Sequence, residues 1–154
     1  MSPRARVMTA AAAGIIAVVA PLTMRSEGEV RQTYRDPVNI PTICYGHTGP
    51  DVQPGQRASA DECKALLEQD LAAALADVDR CTPGLPIGPR AAMTDFVYNV
   101  GGAKYCGSTM AHKLRAGDLA GGCAELSRWV NAGGRPLPGL VKRRAAERAL
   151  CEGR

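Results

Sequence analysis

The chain opens on an unbroken apolar run. Residues 7–24, VMTAAAAGIIAVVAPLTM, are eighteen positions without a charge. At ~1.5 Å per residue a helix of that length spans about 27 Å, close to the hydrocarbon thickness of a bilayer. The pattern then changes character. Ser26, with Glu27 and Glu29 in the first turn, predicts a short helix start. From Thr33 to Thr48, Pro, Gly and β-branched residues predict a small sheet with turns. Ser59-Ala60-Asp61-Glu62 forms a capping box, and the helix it opens should run to about Asp79, with Leu66, Leu67, Leu71, Leu75 and Val78 at helical spacing. CTPGLPIGP ends that helix. A second covers residues 90–100, turning Met93, Phe96, Val97 and Val100 inward. GGAKYCGS reads as a turn and 108–116 as a short helix. Asp118 caps a further helix carrying Leu119, Cys123, Leu126 and Trp129. NAGGRPLPG reads as a loop before a last helix over 139–151. No internal repeat is present. A small β element followed by a helical lobe defines an α+β chain.

Composition narrows this picture. A length of 154 residues suits one folded domain, and 45% hydrophobic with 22% charged residues excludes a disordered tail. The net charge of +4 falls to +2 without Arg4 and Arg6, because 17 basic residues then face 15 acids; no nucleic acid partner is implied. Residues 127–154 concentrate seven basic groups against Glu147 and Glu152, which suits either an anionic polymer or a solvated helical face. The six cysteines, at 44, 63, 81, 106, 123 and 151, contain no CxxC pair. That spacing disfavours a metal site and predicts a disulfide framework in an oxidising compartment; no metal or cofactor is expected. Sequence leaves the pairing open. Cys123 and Cys151 fall on the last two predicted helices and are the favoured pair, with Cys44–Cys63 and Cys81–Cys106 remaining as local ones.

The flanks of the apolar run make it an export signal: Arg4 and Arg6 precede it, and the first acid is Glu27. It is a weak span. Six of its residues are Ala, two are Thr, Gly14 and Pro21 interrupt it, and eight are Val, Ile, Leu or Met. An uncleaved, weakly held anchor over residues 1–24, followed by a globular domain over 25–154, is the favoured organisation. A cleaved signal peptide is the alternative: Val18 and Ala20 satisfy a small-residue rule, but Pro21 would follow the cut.

Eight residues separate Glu27 from Asp36, and five more precede Thr42. Two carboxylates from different local elements suit glycoside hydrolysis, in which one donates a proton and the other stays ionised. Alone the pair is a weak signal. The surrounding string, Glu27-Gly28, Tyr34-Arg35-Asp36 and PTICYGHTG over 41–49, resembles the phage-type lysozymes, glycoside hydrolases used as endolysins, whose Glu, Asp, Thr spacing it fits without a gap. FVYNVG over 96–101, Ser108-Thr109, RWVNAGG over 128–134 and GLVKRRAAER over 139–148 continue the likeness, which runs from Glu27 to about Cys151. The weak span before Glu27 is similar to the signal-arrest-release endolysins of phages of Gram-negative hosts. Some of these carry a disulfide-blocked Cys at the second catalytic position; here Asp36 stands there and the apolar run has no Cys, so a thiol switch is not expected.

The resemblance implies a lysozyme-like fold and an enzyme that cuts the β-1,4 bond between N-acetylmuramic acid and N-acetylglucosamine in peptidoglycan. It implies Glu27 as general acid, kept protonated by an apolar wall, Asp36 as the carboxylate orienting water or supporting the sugar cation, and Thr42 as a hydroxyl holding that water. It implies a structural His47–Asp70 pair, and Tyr98, Asn99 and Arg128 as substrate-binding residues. Lys142, Arg143, Arg144 and Arg148 are candidates to attract the anionic wall. The implied course is residence in the inner membrane through residues 7–24, then release to the periplasm as a monomer. A lytic transglycosylase keeps the fold but changes the chemistry; a wall-binding module without turnover would not need the Glu, Asp and Thr set.

Overall fold

The computed structural model describes residues 8–154; Arg4, Arg6 and Val7 lie outside the described residues. The first helix, α1 (Ala10–Glu27), is the apolar run itself. Thr9 caps it by accepting from the Ala12 N–H at 3.1 Å, and Gly28, at φ 72°, ends it. Ile15, Ile16, Val19 and Ala20 form one buried cluster with Leu67, Leu71, Leu75 and Ala91. Ser26 does not start a helix. It lies in the last turn of α1 and donates to the Leu22 carbonyl at 3.0 Å, because the apolar run and the SEG sequence form one continuous helix that first meets a breaker at Gly28.

Strands β1 (Val30–Arg35), β2 (Pro41–Cys44) and β3 (His47–Thr48) form an antiparallel sheet in that order. Tyr34 faces Thr42, and Ile43 faces His47. A disulfide from Cys44 to Cys63 ties the sheet to α2 (Ala60–Cys81). The capping box is formed: Ser59 Oγ accepts from the Glu62 N–H, and Glu62 Oε2 accepts from the Ser59 N–H. Helix α3 (Ile87–Val100) is buried continuously from Ala91 to Val97. It begins three residues ahead of the predicted start, since Pro89 occupies its first turn, where a missing N–H costs nothing.

Helices α4 (Gly102–Cys106), α5 (Thr109–Arg115) and α6 (Leu119–Glu125) follow, then a 3-10 turn (Leu126–Arg128), the hairpin β4 (Asn131–Ala132) and β5 (Arg135–Pro136), and α7 (Pro138–Cys151). Three of these differ from expectation. The helix capped by Asp118 ends at Glu125 and tightens into the 3-10 turn, which leaves Leu126 in that turn and Trp129 just beyond it. The GGAKYCGS turn contains α4, nucleated by tertiary contacts: Tyr105 is fully buried with its hydroxyl 2.6 Å from Thr82 Oγ1, and Cys106 is bridged to Cys81. The NAGGRPLPG loop contains the β4–β5 hairpin, closed through Gly133 and Gly134, both at positive φ. The third bridge joins Cys123 to Cys151. Phe96 centres the helical core, with edge-on contacts to Trp129 and Tyr105.

Candidate active site

Glu27 is the last residue of α1, so the helix that begins as the apolar run delivers this carboxylate to the junction of the sheet and the helical lobe. Oε1 accepts from Arg143 Nη1 of α7 at 2.6 Å. Oε2 faces the β2–β3 turn: a Cβ placed on Gly46 would sit 3.4 Å from it. Gly46 also has φ +81°, a backbone conformation that favours glycine, and a Cβ there would just touch the carboxylate. The wall beside Glu27 is therefore ionic rather than the apolar one implied by the resemblance.

Arg143 is bound on its other side by Asp95 of α3. Nε and Nη2 donate to Asp95 Oδ2 and Oδ1 at 2.8 and 2.9 Å, and the Thr23 hydroxyl of α1 adds a 2.6 Å bond to Oδ1. Asp95 is fully buried. Burial alone would raise its carboxyl, but the bonds from Arg143 outweigh burial and hold it below the ordinary carboxylate range. Burial likewise works against the charge of Arg143, yet Asp95 and Glu27 raise it above the usual guanidinium value. Glu147, also fully buried, takes bonds from Arg144 at 2.5 and 2.7 Å. Burial pushes its carboxyl well above the usual range, which favours the neutral form. Arg144 stacks 4.8 Å over the Phe96 ring and also bonds Asn99 Oδ1 and the Trp129 carbonyl. Arg143 and Arg144 are therefore 6% and 1% exposed. Neither presents its charge to a polymer in solution, which corrects that part of the basic-end reading.

Asp36 heads the β1–β2 loop. Its Oδ1 accepts from the Val38 and Ile40 N–H groups at 3.0 and 2.8 Å, and its own N–H donates to the Ile40 carbonyl at 3.0 Å. Thr42 is 3% exposed, and its hydroxyl donates to the same Ile40 carbonyl at 2.9 Å. One peptide segment, at Ile40, thus fixes Asp36 and Thr42 together within the sheet.

Tyr98 lines a 280 Å³ cleft with Gly46, Thr48, Asp70 and Gly101. Its hydroxyl donates to the Tyr45 carbonyl, and burial raises it above the ordinary phenol value, with Asp70 and Glu27 adding to the shift. Asn99 and Arg128 lie elsewhere, around a separate 300 Å³ hollow with Lys104, Trp129 and Asn131. Asn99 is occupied by Arg144, while the Arg128 side chain is 73% exposed, 3.4 Å from Glu125. His47 joins the lobes: Nδ1 is 2.7 Å from Asp70 Oδ2 and Nε2 is 3.0 Å from Asp51 Oδ2. Among the described residues no cluster of His, Cys, Asp or Glu could hold a metal.

Sequence reasoning missed Asp95 and Thr23. The signal was present: Asp95 stands between Met93 and Phe96, both assigned inward, and Thr23 is a polar residue inside the apolar run. A carboxylate between inward positions requires a buried cation as partner.

A small antiparallel sheet bridged to a helical lobe, with the Glu27 carboxylate at their junction, is the architecture of a lysozyme-type glycosidase. The chain belongs to the Phage lysozyme family, whose model matches residues 24–147. It is 39% identical over 160 residues to a SAR-endolysin of Bacteriophage PS119, covering 98% of this chain and 96% of that protein. It is also 39% identical to a SAR-endolysin of Enterobacteria phage P21 over 126 residues, covering 81% and 76%. Among solved structures, a P22 lysozyme variant superposes with a TM-score of 0.80 at 30% identity, covering 88% and 96% of the two chains. The active form of the P1 phage endolysin Lyz superposes with a TM-score of 0.77 at 26% identity, covering 92% and 93%. The protein is a lysozyme of the endolysin type, an enzyme acting on peptidoglycan in cell-wall lysis.

Proposed function

We propose that Glu27 protonates the leaving glycosidic oxygen, while Asp36 and Thr42 hold the attacking water or support the sugar cation from the sheet side. The observation that carries this reading is the hold on Glu27: Oε1 is fixed by Arg143, leaving Oε2 free beside Gly46 to present a proton at the junction. Asp36 has one oxygen occupied by two backbone N–H groups, and its second oxygen is left for water. The Thr42 hydroxyl spends its hydrogen on the Ile40 carbonyl and keeps lone pairs to accept one from that water. Tyr98 lines the glycan cleft; Asn99 and Arg128 would meet the substrate only further along, near Trp129. The His47–Asp70 bond serves structure, docking the sheet on α2.

Glu27→Gln keeps size but cannot donate the proton, so wall-cleaving activity should fall ~100-fold or more. Asp36→Asn should be comparably severe and Thr42→Ala damaging. Activity retained by a folded Glu27→Gln variant would sink the assignment. Reducing-end products identify a hydrolase, whereas anhydro ends would identify a lytic transglycosylase.

We further propose that residues 1–24 hold the chain in the inner membrane before it escapes to the periplasm and acts there as a monomer. The helix Ala10–Glu27 is 18 residues long with a mean hydropathy of 1.2, enough to span and little more. While that helix is in the bilayer, Thr23 and Glu27 cannot reach Asp95 and Arg143, and the site is incomplete. Release would let the same residues serve as the first core helix. A secreted lysozyme with a cleaved signal peptide fits less well, because a cut near Ala20 would remove Ile15, Ile16 and Val19 from the core.

A further inference from the structure

A general acid beside an arginine presents a conflict. An uncompensated guanidinium at 2.6 Å would favour the carboxylate form, and a carboxylate has no proton to give. The arrangement of Arg143 resolves it. Two of its three nitrogens face Asp95, and a single nitrogen reaches Glu27. We propose that Asp95 is a positioning residue for the reaction: it neutralises Arg143, so that Arg143 orients Glu27 through one directed bond without holding it permanently ionised. Thr23, from α1, fixes Asp95 in that role.

The proposal rests on Glu27 being the general acid. The charged and titratable groups around Glu27 come from each element packed at the junction. Helix α7 supplies Arg143, with Glu147 3.6 Å from Arg143 Nε and Arg144 beyond it. Helix α3 supplies Asp95 and the Tyr98 phenol. Helix α2 supplies Asp70, behind Tyr98 and engaged by His47, and the sheet contributes the uncharged Gly46. Asp95 is the buried anion bonded directly to the cation that touches Glu27. Its oxygens take bonds from Arg143 and Thr23, and the Glu147 carboxyl, pushed towards its neutral form, adds a further one, so Asp95 stays charged.

The test is the pH dependence of kcat/KM for wall cleavage by the full-length, oxidised, released enzyme, whose alkaline limb reports loss of the acid's proton. Asp95→Asn removes the compensating charge and should move that limb to lower pH by about one unit, with kcat falling more than KM rises. Arg143→Gln removes the cation and should move the limb to higher pH, with a lower kcat because Glu27 is no longer held. The Asp95→Asn, Arg143→Gln double variant restores electroneutrality, so its limb should return to the wild-type position while kcat stays low. The double variant also covers the case in which Asp95→Asn leaves too unstable a protein, and the carbon-13 shift of the Glu27 carboxyl reads the same titration where turnover is slow. Limbs unmoved in all three, with only melting temperatures lowered, would overturn the proposal and leave the cluster a purely structural one. Retained activity in Glu27→Gln would instead remove the assignment beneath it, an outcome distinct from unmoved limbs in an enzyme that needs Glu27.

Discussion

Helices α1 and α2 bury their inner faces against each other and solve the outer face in opposite ways. Helix α2 turns Asp61, Glu62, Lys64 and Arg80 to water, the usual amphipathic pattern. Helix α1 turns Ala10, Ala11, Ala13, Gly14, Ala17 and Val18 to water and places Ile15, Ile16 and Val19 inside. It is sided by size instead of by charge. Apart from Val18, these side chains are methyl-sized or absent and expose little apolar area, so the helix tolerates water on that face, and no charge stands on it before Arg25 in the last turn. The contrast teaches that a helix sided by size is long and apolar enough to meet either a bilayer or an enzyme core, while its packing partner suits water alone.

The most forceful way to break this comparison is through the shared core. Leu71 and Ile16 are 0% and 3% exposed within the same cluster. Leu71→Ala and Ile16→Ala should each cost about 3 kcal/mol in urea unfolding of the soluble oxidised protein. Equal penalties mean that α1 is a full member of the enzyme's core. An Ile16→Ala midpoint equal to wild type would show α1 undocked.

The outer face gives the next test. Replacing Ala10, Ala11, Ala13 and Ala17 with Leu adds about 0.5 kcal/mol of insertion each, roughly 2 kcal/mol in all or about thirtyfold in partition. All four are exposed in the fold, so core packing should be unaffected. Fractionation before and after collapse of the membrane potential should find the variant held in the membrane, with lysis delayed. A wild type already soluble and shortened before collapse would identify a cleaved leader.

The sheet docks on α2 through His47, and this contact should depend on pH. Burial would lower the His47 value, but the bonds to Asp70 and Asp51 outweigh burial and raise it. A raised folded value means that the stabilisation is complete below the unfolded value of about 6.5 and is lost as pH rises through the folded one. His47→Gln should therefore cost about 1.5 kcal/mol near pH 5.5 and progressively less towards pH 9. A gap that widened with pH would reverse the assignment. Among the described residues no hydrogen bond or ion pair joins α1 to these groups, so Ile16→Ala should show no such trend.

Much of this was legible in the chain. The capping box, the leucine spacing of α2 and the inward set of α3 come from local pattern, and the structure follows them. The three bridges match the set that follows from pairing Cys123 with Cys151. What escaped depends on distant partners. Nothing near Gly102 announces α4, which forms because Tyr105 finds Thr82. Ser26 and Glu27 resemble a helix start locally, and only the docking of the apolar run makes them an end. The proposed roles of Glu27, Asp36 and Thr42 come from spacing and resemblance. The position of Asp95 between Met93 and Phe96 signalled a buried carboxylate, but its partner, Arg143, stands 48 residues away and is named by no local pattern.

The smallest test compares the two helix starts. Ser59 caps α2 with both bonds of the box formed, in front of a turn whose Cys63 is bridged to Cys44. Thr9 caps α1 with one bond, ahead of a first turn in which Ala10, Ala11, Ala13 and Gly14 are exposed. Loss of a cap costs about 1 kcal/mol where the turn behind it is anchored, and fraying absorbs the loss where it is not. Ser59→Ala should thus lower the melting midpoint measurably, whereas Thr9→Ala should leave it in place and speed hydrogen exchange only at the amides of Ala12 and Ala13. Equal losses from the two substitutions would mean that α1 is anchored from its first turn. Its outer face would then be under the same constraint as that of α2, and its lack of charge could not be explained by freedom at its start.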